Sequence, residues 1–189
     1  MSRLQICTRD EAPAASKPVL DTIYRKMGIV PNYARLLGRN PTVLQAFTAF
    51  QDGLSNVLNP KTRERIALAI SQVNACEYCL SAHTYLATNF AKLPPEEITL
   101  NRQGQSKDEK ANAAVEFSVS VAEKRGQVTD TDLNAVKAAG YAEPQIIEII
   151  GLVAETTFLN YLNKVADTNI DFPAVTQMPA LTTASEGRF

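Results

Sequence analysis

No apolar run in the sequence approaches the roughly 20 residues needed to cross a bilayer. The opening Met1-Ser2-Arg3-Leu4-Gln5-Ile6-Cys7 lacks the apolar core of a secretion signal. The expected location is therefore cytoplasmic, with no membrane partner. Charge of one sign is also missing: 19 Lys and Arg face 20 Asp and Glu, for a net charge of -1. The basic residues are dispersed, so no nucleic-acid or anionic-lipid surface is expected. Cysteine is scarce. Three residues, an odd number, do not make a secreted disulfide scaffold. There is a single histidine, His83. Apolar residues do not alternate with period two, so strands are not expected.

What is present is ordinary for a soluble globular chain. Of 189 residues, 45% are hydrophobic and 21% charged. That suffices for one core without covalent staples. Residues 1–16 read as an extended lead-in, 17–170 as one helical domain with a core at about 41–92, and 171–189 as a tail lying over a surface.

Apolar residues recur at three and four, which predicts an all-α, bundle-like domain. A short helix is expected over 17–27, closed by Gly28, and another near 31–37. Asn40-Pro41 and Asn59-Pro60 are two helix starts, each with an Asn cap and a Pro in the first turn. The first is expected to run to about Leu58 and to bury Val43, Leu44, Phe47, Phe50, Leu54 and Val57. The second carries Glu64, Ile66, Ile70 and Val73, and a break is expected near Asn74-Ala75. Further helices are expected from Cys76 to about Lys92, from Pro94-Pro95, from Asp108 to Glu123, and from Thr129 to Gly140. The last, from Glu143 to about Ala166, is apolar on more than one face. Such a helix must be central or packed on another subunit, so an oligomer is expected.

The chemistry concentrates in Ala75-Cys76-Glu77-Tyr78-Cys79-Leu80-Ser81-Ala82-His83, which holds two of the three cysteines and the histidine. On a helix, spacings of three and four put Cys76, Cys79 and His83 on one face. A helix N-terminus favours a thiolate at Cys76. Residues three apart on a helix are close enough for a disulfide. His83 lies one turn beyond Cys79 and can take its proton directly or through one water. Either thiol could be the attacking one. A carboxylate is needed to orient His83. Glu77 points elsewhere, and Glu64 lies twelve positions before Cys76, about 18 Å along a straight helix. Glu64 can reach only if the chain bends near Asn74 and the two helices fold side by side.

Simpler readings exist. Cys76 and Cys79 could be two small buried apolar residues. Glu64 sits in Lys61-Thr62-Arg63-Glu64-Arg65, a segment that reads as a solvated face. A structural zinc site would need a second ligand pair, or a long reach from Cys7, so no metal is expected. Cys7 is assigned no role, and Tyr78 and Tyr85 are read as packing residues.

The spacing Glu64, eleven residues, Cys76, two residues, Cys79, three residues, His83 resembles the signature of the AhpD-like alkylhydroperoxidases, in the carboxymuconolactone decarboxylase superfamily. The core likeness runs from about Pro41 to Lys92. Val30-Pro31-Asn32-Tyr33, Asn160-Tyr161-Leu162-Asn163 and Asp171-Phe172-Pro173 are similar to the longer branch of peroxidase-related proteins. The resemblance implies an AhpD-like helical bundle and a thiol-dependent peroxidase. In it Cys79 attacks a hydroperoxide, Cys76 resolves the sulfenic acid to a Cys76–Cys79 disulfide, and Glu64 and His83 relay protons. It implies no bound cofactor, a dithiol reductant such as a dihydrolipoyl group or a thioredoxin-type protein, and a trimer or hexamer. Where the best-studied branch has a second histidine before the second cysteine, this chain has Tyr78, which bears on the relay and on the choice of reductant. Two other functions fit the same residues. One is a decarboxylase-like lyase using His83 and Glu64 on a lactone acid; the other is a non-catalytic thiol–disulfide adaptor.

Overall fold

The computed structural model describes residues 2–55 and 58–178. Among these the chain forms nine α-helices and no strand. They are α1 (Lys17–Met27), α2 (Asn32–Leu37), α3 (Pro41–Gly53), α4 (Pro60–Val73), α5 (Glu77–Asn89), α6 (Pro95–Arg102), α7 (Glu109–Glu123), α8 (Asp130–Ala138) and α9 (Glu143–Ala166). The all-helical expectation holds. No helix among the described residues is long and apolar enough to cross a membrane.

The caps follow from the sequence. Asn40 and Asn59 each accept the backbone N–H of the residue three ahead, Val43 and Thr62, and Asp108 does the same for Ala111. Thr129 and Asp132 form a reciprocal capping box at the start of α8. Gly28 closes α1 in the left-handed conformation, φ 75°.

Helix α4 is the centre of the bundle and packs against α5, α6, α7 and α9. Ile66, Leu68, Ala69 and Ile70 are fully buried, so α4 has almost no free face. One core lies between α4, α7 and α9, around Ile66, Ile70, Val115, Phe117, Ile149 and Leu152. A second joins the N-terminal segment, α1, α2 and α3 to the cysteine pair. Arg65 and Glu97 tie α4 to α6 by a buried ion pair, Nε to Oε1 2.7 Å. Glu97 also accepts from Asn101, Ser106 and the backbone of Lys107. Burial raises its pKa, but these donors outweigh that and hold it down at about 2.

Three expectations need correction. Helix α3 stops at Gly53, and Val43 and Phe50 face outward, 36% and 45% exposed. Only the Leu44 and Phe47 stripe turns inward, because α3 packs chiefly on α2 and α9 and leaves its far side open. Cys76 caps α5 instead of lying in its first turn. The segment after Asp171 is tied to the helices it lies over. Val175 N–H donates to Ser81 Oγ, Thr176 O accepts from Arg102, and Phe172 enters the wall of a cavity. Val57 and Pro179 lie outside the described residues.

Helix α9 is buried on one side and open on the other. Ile146, Ile149, Leu152 and Val153 are buried, while Ile147, Ile150, Phe158, Tyr161 and Val165 form an exposed stripe on the far side.

Candidate active site

The site is built at the turn between α4 and α5. Helix α4 ends at Val73, and Ala75 takes a left-handed conformation, φ 53°. A non-glycine residue there costs about 1–2 kcal/mol. Contacts from α9 offset that cost. Asn74 Nδ2 donates to Asn160 Oδ1 at 2.9 Å, and Lys164 Nζ donates to Asn74 O at 2.8 Å. Cys76 N–H also closes back on Ser71 O at 3.0 Å. The chain therefore reverses, and α5 lies beside α4.

The reversal brings Glu64 to His83. Glu64 Oε2 and His83 Nδ1 are 2.9 Å apart, and both side chains are 21% exposed. Glu64 is thus not on a fully solvated face. Burial lowers the His83 pKa, but the charge and hydrogen bond of Glu64, with smaller help from Glu155 and Cys76, raise it on balance.

Cys76 and Cys79 are both buried and unbridged. Their sulfurs are in contact at 2.7 Å, and Cys79 N–H donates to Cys76 Sγ at 3.3 Å. The hydrogen bond from the Cys79 thiol lowers the Cys76 pKa. Burial opposes this, while the Cys79 backbone and the charges of His83 and Lys164 assist. Donation to Cys76, burial and the charge on Cys76 push Cys79 well up. Of the two thiols, Cys76 is therefore the one that ionises more readily. No direct hydrogen bond joins His83 to Cys79 among the described residues; both face one cavity.

That cavity, about 290 Å³, has Cys79, His83 and Glu155 as its reactive groups. Met27, Tyr33, Leu86, Phe90, Leu159 and Phe172 give it an apolar, aromatic wall. Tyr78 is fixed rather than free. Its hydroxyl accepts from Tyr33 N–H at 3.1 Å and donates to Asp171 Oδ1 at 2.8 Å. Burial raises its pKa strongly, so it is a neutral wall and not a second relay base.

Glu155 is a site residue that the sequence reading missed. It is buried on α9, accepts from Gln51 Nε2 at 2.8 Å, and burial raises its pKa. An acidic residue inside the apolar run of α9 was the available signal. Asn163 was missed too; its Nδ2 donates to Cys79 Sγ at 3.6 Å. Glu77 is exposed. Cys7 is fully buried in the same core as the pair, but its Sγ donates to Arg35 O at 3.0 Å. No group of three or more His, Cys, Asp or Glu among the described residues is placed to hold a metal ion.

Residues 41–114 match the carboxymuconolactone decarboxylase family. The whole fold is similar to that of an uncharacterized peroxidase-related protein from Ralstonia eutropha with an alkylhydroperoxidase AhpD core. The TM-score is 0.79 and the identity 23%, over 90% of this chain and 92% of that one. The chain thus has an AhpD-like fold, and residues 41–114 carry the likeness to the carboxymuconolactone decarboxylase family. An uncharacterized peroxidase-related protein from a Silicibacter species gives a TM-score of 0.78 at 22% identity, covering 89% and 91% of the two chains. The debrominase Bmp8, as a variant in complex with 2,3,4-tribromopyrrole, gives 0.74 at 23%, covering 89% and 91%. A curated relative, an uncharacterized protein from Haemophilus influenzae, is 43% identical over 54 residues. That match spans 28% of this chain and about half, 48%, of the relative. At these identities the solved structures speak for the AhpD-like fold alone.

Proposed function

We propose that this AhpD-like protein is a thiol-dependent hydroperoxide reductase that cycles Cys76 and Cys79 between dithiol and disulfide. One observation carries the reading. Two sulfurs in contact open through Cys79 onto an apolar cavity that is also lined by His83, whose ring is paired with Glu64.

The Cys76 thiolate takes the Cys79 proton across the sulfur contact. The Cys79 thiolate then attacks the terminal oxygen of the hydroperoxide. The S–O bond forms, the O–O bond breaks, and the alkoxide leaves with a proton from His83. The product is a Cys79 sulfenic acid. The Cys76 proton passes across the sulfur contact to the sulfenic oxygen on Cys79. Cys76 then attacks the Cys79 sulfur, and hydroxide departs as water with that proton. The balance is one hydroperoxide and two thiols to one alcohol, one water and one disulfide. A raised His83 pKa suits the acid step, and Glu64 supplies the counter-charge. A dithiol closes the cycle, with a dihydrolipoyl group or a thioredoxin-type protein as reductant.

The test is thiol counting before and after one equivalent of cumene hydroperoxide, with mapping of the bond formed. Loss of two thiols to a Cys76–Cys79 disulfide is expected, and Cys79→Ser should abolish turnover. Unchanged turnover in that variant removes the reading.

The aromatic wall of the cavity and the likeness to a debrominase favour a second use of the same pair. In it the dithiol reduces an aryl bromide to the arene and bromide and becomes a disulfide. Bromide release from a brominated pyrrole, without hydroperoxide turnover, would select it. A lyase acting through His83 and Glu64 would keep its activity on a lactone acid after both thiols are alkylated. An adaptor would form the disulfide reversibly with negligible peroxide turnover.

A further inference from the structure

The cysteine pair separates two openings. The apolar cavity touches Cys79 and not Cys76. A second recess, about 280 Å³, touches Cys76 and not Cys79. Its wall is polar, formed by Glu77, Asn163, Lys164, Thr168, Ile170 and Gln177. Tyr78 and Asn163 border both spaces and form the partition between them.

Two residues on its wall each carry a polar atom with no partner. Asn163 Oδ1 and Thr168 Oγ1 are buried without a hydrogen bond, in residues only 3% and 7% exposed. Buried polar groups are nearly always satisfied.

We propose that the pair is served from two sides: the oxidant meets Cys79 in the apolar cavity, and the reducing dithiol enters the polar recess and attacks Cys76. This rests on the dithiol/disulfide cycle proposed above.

The chemistry favours that division. Thiol–disulfide exchange proceeds by thiolate attack on one sulfur as the other leaves. Attack in line with the S–S bond must come from the side opposite the leaving sulfur. The recess, which touches Cys76 and not Cys79, is the space from which Cys76 can be approached. The new bond joins the reductant sulfur to Cys76, and the S–S bond breaks. Cys79 departs with the electron pair toward Asn163 Nδ2–H, 3.6 Å from its sulfur, and takes up the proton released by the reductant. The second thiol of the dithiol then attacks its own bound sulfur and frees Cys76. Two electrons pass from dithiol to protein, and the reductant leaves as a disulfide.

The test reads the two half-reactions separately on the full chain. The disulfide is prepared with diamide, so the reductive arm does not depend on a hydroperoxide being the oxidant. Oxidised wild-type protein is mixed with the monothiol N-acetylcysteamine, quenched in acid, and the adduct mapped by mass spectrometry. Attachment at Cys76 is expected; attachment at Cys79 overturns the inference. Ile170→Trp, at a partly exposed position on the recess wall, should slow reduction by dithiothreitol at least tenfold. It should leave oxidation by cumene hydroperoxide within twofold. Leu86→Trp, in the cavity, should slow the oxidative arm. Reduction within twofold of wild type in Ile170→Trp overturns the inference. Should that variant not fold, adduct mapping on the wild type decides alone. Failure of cumene hydroperoxide to oxidise the pair, with Cys76 still carrying the adduct, counts against the peroxidase reading and for the two-sided centre.

Discussion

Glu64 and His83, nineteen positions apart, meet at 2.9 Å because the chain reverses at Asn74-Ala75. A carboxylate beside a partly buried imidazole favours the imidazolium. The His83 pKa is raised on folding, so the pair adds stability that is complete below the ordinary histidine value of about 6.5. That stability is lost as pH rises through the folded value. Thermal denaturation of wild type and Glu64→Gln across pH 5.5 to 9 (about the range where histidine titrates) should show a gap between them that is widest at the acid end. In the proposed reaction the same loss of the His83 proton lowers turnover on the alkaline side, and Glu64→Gln should move that limb to lower pH.

The two cysteines should behave differently. The cavity touches Cys79, so Cys76→Ser should still react once with a hydroperoxide and stop at a Cys79 sulfenic acid, which dimedone labels. Cys79→Ser should give no sulfenic acid and no turnover. Equal dimedone labelling of the two variants would contradict this assignment.

The Arg65–Glu97 pair carries a stability prediction away from the reaction. Glu97→Gln leaves the Arg65 charge buried without its counter-ion, for a loss of about 3 kcal/mol in denaturant unfolding. The pKa of Glu97 is depressed to about 2. Its contribution is therefore present above the ordinary glutamate value, about 4.3, and is lost as pH falls toward 2. Acid unfolding of the variant should lack that part of the pH dependence.

Tyr78 should matter through its hydroxyl. Tyr78→Phe removes the donor to Asp171 and leaves Tyr33 N–H without its acceptor. A loss of about 1–2 kcal/mol is expected from two broken hydrogen bonds in a partly buried site. Asp171 stays tied to Asn32 N–H at 2.8 Å, so the tail should hold and the effect on KM should exceed that on kcat.

The exposed stripe on α9 supports an assembly of several copies. Ile147→Glu or Tyr161→Glu should lower the mass measured by light scattering, with little change in helix content by circular dichroism. Both side chains are mostly exposed, 69% and 58%, so neither change disturbs the core of the chain.

Much of the helical frame was legible. Asn40-Pro41, Asn59-Pro60, Asp108 and Thr129 state where helices begin, because a cap needs only a side chain three residues from a free N–H. The outward turn of Phe50 was not legible, because apolar periodicity marks a face but not which neighbour covers it. Glu155 escaped because its partners, Gln51 and the cavity, come from other helices. The clasp of residues 171–176 over the site escaped for the same reason.

Local order of residues alone set the helices, their caps, and the placing of two thiols and an imidazole on one face, since these depend on spacings of three and four. Tertiary packing decided which carboxylate meets the imidazole and which space each sulfur faces. Those depend on distances between segments far apart in the chain, and here they were set by a reversal that α9 holds in place through Asn160 and Lys164.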